Sequence, residues 1–344
     1  MRIFSAWILA ACGLLAAPYP WDLPQGFPRP RVPAANPMSA KKVKLGRFLF
    51  YDRRLSANGS QSCATCHRQE LAFTDGRAHG VGSTGEIHPR GAMSLVNVAY
   101  ASVLTWNNPA QRSLEEQALT PMFGTHPVEL GLSGKGEQCL KQLRAEPLYR
   151  QLFPAAFPGQ SDPFTVENVT RAIASFERAL ISARSPYDRY HYGGDDNAVS
   201  PAAKRGEVLY FSEPLSCFRC HGGFTFSDAT EFERSPRPED DAPPMHNNGL
   251  ADPGKFKAPT LRNIALTAPY MHDGSLPTLE AVLDHYAAGG RHTPHQDQLI
   301  RGFPLSTAGR ADLLEFLRSL TDTELTRDPR FADPWPQVRQ TALR

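Results

Sequence analysis

The chain has no strong excess of charge: 37 Lys and Arg stand against 35 Asp and Glu, a formal net charge of +2. That balance argues against a nucleic-acid-binding protein, which needs a strongly basic face to hold phosphate. Long apolar runs are also lacking. The N-terminal stretch Ile3 to Ala11 is far below the ~20 residues that span a bilayer. A hydrophobic content of 41 % supplies a core but not a membrane bundle. Glycine, at 26, is ordinary, and cysteine is limited to six.

Proline is in excess, 31 of 344 residues or about 9 %, against a typical ~5 %. So many prolines disfavour long helices or a large regular sheet, and predict short elements joined by long ordered loops. At ~150 residues per domain, the length suggests about two domains. Arg2 and the apolar stretch after it read as an export signal over 1–17. Leu9-Ala10-Ala11-Cys12 has the form of a bacterial lipobox, with Cys12 as the lipid anchor; cleavage near Ala16-Ala17 is the alternative. Pro18, Pro20, Pro24, Pro28 and Pro30 then predict an extended arm over 18–37.

Two halves follow one plan. Lys44-Leu45-Gly46-Arg47-Phe48-Leu49-Phe50 resembles Lys204-Arg205-Gly206-Glu207-Val208-Leu209-Tyr210, each a predicted helix whose single Gly admits another backbone. Cys63-Ala64-Thr65-Cys66-His67 and Cys217-Phe218-Arg219-Cys220-His221 follow, 154 residues apart. Phe73-Thr74-Asp75 and Phe226-Ser227-Asp228 come next, at nearly equal offsets. The expected fold is mainly α: two related helical domains over 38–190 and 198–322, with a tail over 323–344. Val166, Val169, Ile173, Phe176 and Leu180 form one helical stripe, and Leu313, Leu317 and Leu320 another. Ser200 before Pro201 marks a helix start, and Ser185 to Val199 reads as the inter-domain loop.

In the pattern C-x-x-C-H, two thiols one helical turn apart can add to the two vinyl groups of haem, while the adjacent His binds iron. A redox dithiol needs no such His, and a zinc site needs four ligands gathered together, whereas each cluster supplies three. Two covalent c-type haems are therefore expected, one per half, in an exported and periplasmic protein. Cys139 stands alone in a helical stretch as a buried thiol. Gly80-Val81-Gly82-Ser83-Thr84-Gly85 matches a dinucleotide fingerprint, but no strand precedes it and no helix pattern follows; it reads as a haem-edge loop.

The order of these pentapeptides with Trp106, Leu114-Glu115-Glu116-Gln117, Pro127-Val128-Glu129, Pro259-Thr260-Leu261-Arg262-Asn263 and Thr267 to Gly274 resembles the bacterial di-haem cytochrome c peroxidases. The resemblance covers roughly residues 38 to 322 and is greatest to the branch containing MauG and MbnH. It implies two cytochrome c-like helical domains, with His67 and His221 as the proximal iron ligands and Trp106 carrying electrons or holes between the haems. Gln117 and Pro121 match the distal pocket of the first haem, and Glu129 the carboxylate that moves a proton as peroxide breaks.

Tyr286 falls where ordinary peroxidases carry Met as the sixth ligand of the second haem. Met would raise the potential, whereas an anionic Tyr oxygen would lower it and stabilise oxidised iron. The resemblance then implies two oxidising equivalents stored across both haems without prior reduction. His285, Met271 and His272 are the rival ligands. The usual distal His position falls near Ser83, with His79 and His88 displaced, so the first haem is expected to be open to peroxide. The family's calcium site would take carbonyls of Thr267 and Pro269, but its Asn position is Gly91, with Asn97 six residues on.

Three functions are carried forward. The first is an enzyme that uses hydrogen peroxide to oxidise an aromatic residue, Trp foremost, on a partner protein. The second is a peroxidase fed by a small cytochrome or copper protein. The third is a di-haem electron carrier.

Overall fold

The computed structural model describes residues 19–235 and 242–342, so the expected leader and Cys12 lie outside the described residues. The first half contains α1 (Ala40–Phe50), α2 (Cys63–Cys66), α3 (Leu114–Gln117), α4 (Leu119–Phe123), α5 (Gly136–Ala145), α6 (Pro147–Ala156) and α7 (Val166–Arg178). The second contains α8 (Pro186–His191), α9 (Pro201–Tyr210), α10 (Leu279–Ala287), α11 (Thr307–Ser319) and α12 (Trp335–Ala342). Short 3-10 turns and isolated bridges join them, with no sheet among the described residues. The fold is mainly helical.

Local chemistry explains where these helices start. Ser39, Thr165, Ser200, Thr278 and Ser306 each accept a first-turn amide at the start of α1, α7, α9, α10 and α11. Such a cap is worth about 1 kcal/mol. Pro147, Pro186 and Pro201 occupy first turns, where their missing N–H costs nothing. Proline therefore punctuates the helices without breaking up the fold.

The repeated glycines set the packing. A Cβ on Gly46 would lie 1.9 Å from the Ala172 carbonyl oxygen, and one on Gly206 would lie 2.0 Å from that of Asp312. Helix α1 thus crosses α7 backbone to backbone, and α9 crosses α11 in the same way. Leu45, Leu49, Phe73, Phe153 and Phe176 build the first core; Tyr210, Phe226, Leu313, Phe316 and Leu317 build the second.

Where a loop is expected from Ser185 to Val199, the chain forms α8. Ser185 and Asp188 cap each other reciprocally there, and Tyr187 enters the second core. The spacing of that short helix was masked by its charged and polar residues. The segment after 322 is more than a tail: Leu325 and Trp335 pack into the first core, and the Trp335 indole donates to the Phe48 carbonyl.

The proline-rich arm is tied to both halves. Phe27 is buried against Tyr100, Phe224 and Tyr192, and the Arg262 guanidinium sits 4.7 Å above its ring. Tyr100 donates to the Pro28 carbonyl at 2.7 Å, and Asn36 donates to Glu115 at 2.6 Å.

Candidate di-haem site

Both pentapeptides curl through one turn that closes the His amide onto the carbonyl of the first Cys. The His67 amide donates to the Cys63 carbonyl at 2.9 Å, and that of His221 to the Cys217 carbonyl at 3.0 Å. The backbone differs between them: α-helix over Cys63–Cys66 and a 3-10 turn over Cys217–Arg219.

The repeated Phe has a second role. Phe73 and Phe226 are buried in the left-handed region, with φ of 61° and 54°, which turns each carbonyl back toward its His. The Phe73 oxygen lies 2.8 Å from Nδ1 of His67. Nδ1 of His221 lies 3.0 Å from the Pro259 oxygen and 3.3 Å from that of Phe226. Burial holds both imidazoles below their usual pKa, hence neutral. With Nδ1–H bound to carbonyls, Nε2 is the nitrogen left for a metal.

A cavity of ≈ 690 Å³ opens beside the second pentapeptide, lined by Cys217, Cys220, His221, Met271 and Tyr286 among apolar residues of α10 and α11. That size suits a cofactor. Two thiols, an oriented imidazole and apolar walls fit a covalent haem. Tyr286 lies deep there, its hydroxyl 4.0 Å from Sδ of Met271, and burial raises its phenol. His285 turns elsewhere, with Nε2 2.9 Å from the Asn248 oxygen. His272 stacks on Phe256 at 3.7 Å.

Trp106 and Met271 line this cavity and also a smaller one of ≈ 110 Å³ between the halves. The Trp106 indole donates to the Gly91 carbonyl at 3.2 Å. At the calcium position no Asn side chain fits, because a Cβ on Gly91 would lie 2.4 Å from the Arg77 oxygen. Asn97 is committed too, exchanging hydrogen bonds with the Ser182 backbone. Thr267 and Pro269 of that expected set both line the smaller cavity.

On the first side, Gln117 ends α3 and Pro121 sits in α4. The Leu130 amide donates to the Pro121 carbonyl at 2.9 Å, which joins that helix to the segment carrying Glu129. Burial alone pushes the Glu129 carboxyl up to about 7, and its charge is felt at both Cys63 and Cys66. His79 is exposed and turned onto the His88 carbonyl within its own hairpin.

Sequence reasoning missed how the glycine loop supports this acid. The Ser83 amide donates to the Glu129 carbonyl at 2.7 Å, and the Glu86 carboxylate accepts the Val128 amide at 2.9 Å. A Cβ on Gly82 would lie 1.7 Å from the Val128 oxygen. The usable signal was the glycine spacing itself, which marks close backbone approach.

Residues 40–197 match the family described as di-haem cytochrome c peroxidase, and 255–288 match one described as RoxA-like, cytochrome c-like. The methylamine utilization protein MauG of Methylorubrum extorquens is 38% identical over 303 residues, covering 86% of this chain and 82% of that protein. The cytochrome c peroxidase Ccp of Escherichia coli is 33% identical over 284 residues, covering 77% of this chain and 57% of that one. A solved MauG-like protein associated with microbial copper homeostasis superposes with a TM-score of 0.87 at 42% identity, covering 92% and 99% of the two chains. With two C-x-x-C-H sites in a helical frame, the chain belongs to the di-haem cytochrome c peroxidase family and is a MauG-like oxidoreductase of it.

Proposed function

We propose that the protein uses hydrogen peroxide to oxidise an aromatic residue, with Trp as the target, on a partner protein. The observation that carries this reading is Tyr286, a deep phenol in the second cavity at the position of the ordinary Met ligand. When bound, the two haems supply the redox chemistry with peroxide.

The chain's residues do the remaining work. His67 and His221 would hold the irons, since their Nδ1 atoms are engaged by carbonyls and leave Nε2 for a metal. Glu129 handles the proton: peroxide heterolysis moves one from the inner to the outer oxygen, and a desolvated carboxyl near neutrality can take and return it. Gln117 and Pro121 wall that side. Trp106 lines both cavities, so its π system bridges the halves. Burial keeps the free Tyr286 phenol protonated, so it would become an anionic ligand favouring oxidised iron only on binding the metal of the second haem. Calcium enters only as a structural ion on the Thr267 and Pro269 carbonyls, and elemental analysis of dialysed protein decides whether it is there.

One observation favours a second reading, a peroxidase fed by a small redox protein: Met271 places a soft sulfur 4.0 Å from the Tyr286 hydroxyl. The two separate when peroxide is added to as-isolated diferric protein under optical and EPR observation. The first reading expects an immediate spectral change with no reductant. Inertness until half-reduction favours the second, and inertness in both states leaves an electron carrier. Tyr286→Phe is expected to abolish the change; an unaltered signal sinks that ligand assignment.

A further inference from the structure

Lys257 has no role in the mechanism above, yet its position is costly. It sits half-buried between the halves and, among the described residues, is the one charged side chain that lines both cavities. Its Nζ donates to the Val103 carbonyl at 2.9 Å, and its backbone amide donates to the Trp106 carbonyl at 2.9 Å. Among the described residues no carboxylate is paired with this ammonium, and burial alone acts on it, lowering its pKa to about 8. This half-buried ammonium has a carbonyl partner but no counter-ion, so an anion entering the cavities beside it would complete its neutralisation.

The larger of these cavities is lined by Cys217, Cys220 and His221, where the second haem would attach, and each haem carries two propionate carboxylates. Two residues along, Pro259 already holds the proximal His221 through its carbonyl. The segment 257–259 therefore presents both an acceptor and a cation to the cavity that would hold the second haem. We propose that Lys257 is the counter-ion of a propionate of the second haem, and that its charge raises that haem's potential. The inference rests on covalent haem attachment at Cys217 and Cys220 and not on which substrate the enzyme oxidises.

The test compares purified holoprotein with Lys257→Gln, which keeps a donor for Val103 but loses the charge, and with Lys257→Arg, which keeps the charge. A haemochrome assay first establishes two haems per chain in each. In Lys257→Gln, the reduced-to-oxidised ratio of the second haem at a fixed potential is expected to fall about tenfold, or ~59 mV for one electron. The propionate-bending bands in resonance Raman should shift with it, and Lys257→Arg should restore both. If Lys257→Gln fails to load haem while Lys257→Arg loads two, the need for charge is equally shown. Unchanged potentials overturn the proposal, and so does a shifted potential with unmoved propionate bands, which would point to a free anion. None of these readouts uses peroxide turnover, so the proposed function can fail without this inference failing.

Discussion

At the scale of single residues, the site works by desolvation. Glu129 is a carboxyl that burial alone moves to about 7. Accepting the first proton from peroxide requires its ionised form, which is lost as pH falls through that value. The peroxide-dependent rate is therefore expected to rise with pH, with a midpoint near 7. Glu129→Gln should remove that limb and lower the rate by about 10²–10⁴-fold. Stopped-flow pH profiles of the two proteins decide it, and an unchanged limb would assign it to another group.

At the scale of elements, the repeat glycines are the sharpest constraint. Gly46→Ala and Gly206→Ala each drive a Cβ into a facing carbonyl, at 1.9 Å and 2.0 Å, so the helices must move apart. Overpacking of this kind costs about 1–3 kcal/mol, and backbone contact puts these sites at the upper end. Thermal melts of each variant with both haems retained measure the loss; an unaltered Tm would show that the crossings can open freely. These crossings were legible in sequence, since a glycine repeated at one register in two predicted helices needs a common cause. The capped start of α9 at Ser200 was legible too. Helix α8 was not, because its six residues, Pro186–His191, show no apolar stripe and its fold is settled by Tyr187 entering the second core.

Across the whole molecule, the arm and the C-terminal segment bind halves that a duplicated sequence would leave independent. Phe27 touches Tyr100 of the first half and Phe224 of the second. Phe27→Ala is expected to destabilise the protein by about 3–5 kcal/mol, the usual cost of emptying an aromatic site. Deleting 19–37 should divide calorimetric unfolding into two transitions. A single transition in the deleted protein would mean that the contacts between the halves suffice without the arm.

The sequence by itself determined the local chemistry: which thiols and imidazoles pair, that the motif occurs twice, and that Phe73 and Phe226 follow each copy at similar offsets. Those are short-range features, where a spacing of two or three residues is already a geometry. The three-dimensional fold alone separated the rivals on α10, where Tyr286 lines the second cavity with Met271 and His272 while His285 turns to the Asn248 carbonyl, because neighbours on a helix point apart. It also decided that Asn97 is committed to Ser182, and that Gly82 abuts the Glu129 segment. Lys257 belongs to this class: a lysine in a polar, proline-rich loop reads as solvated until the two halves close around it.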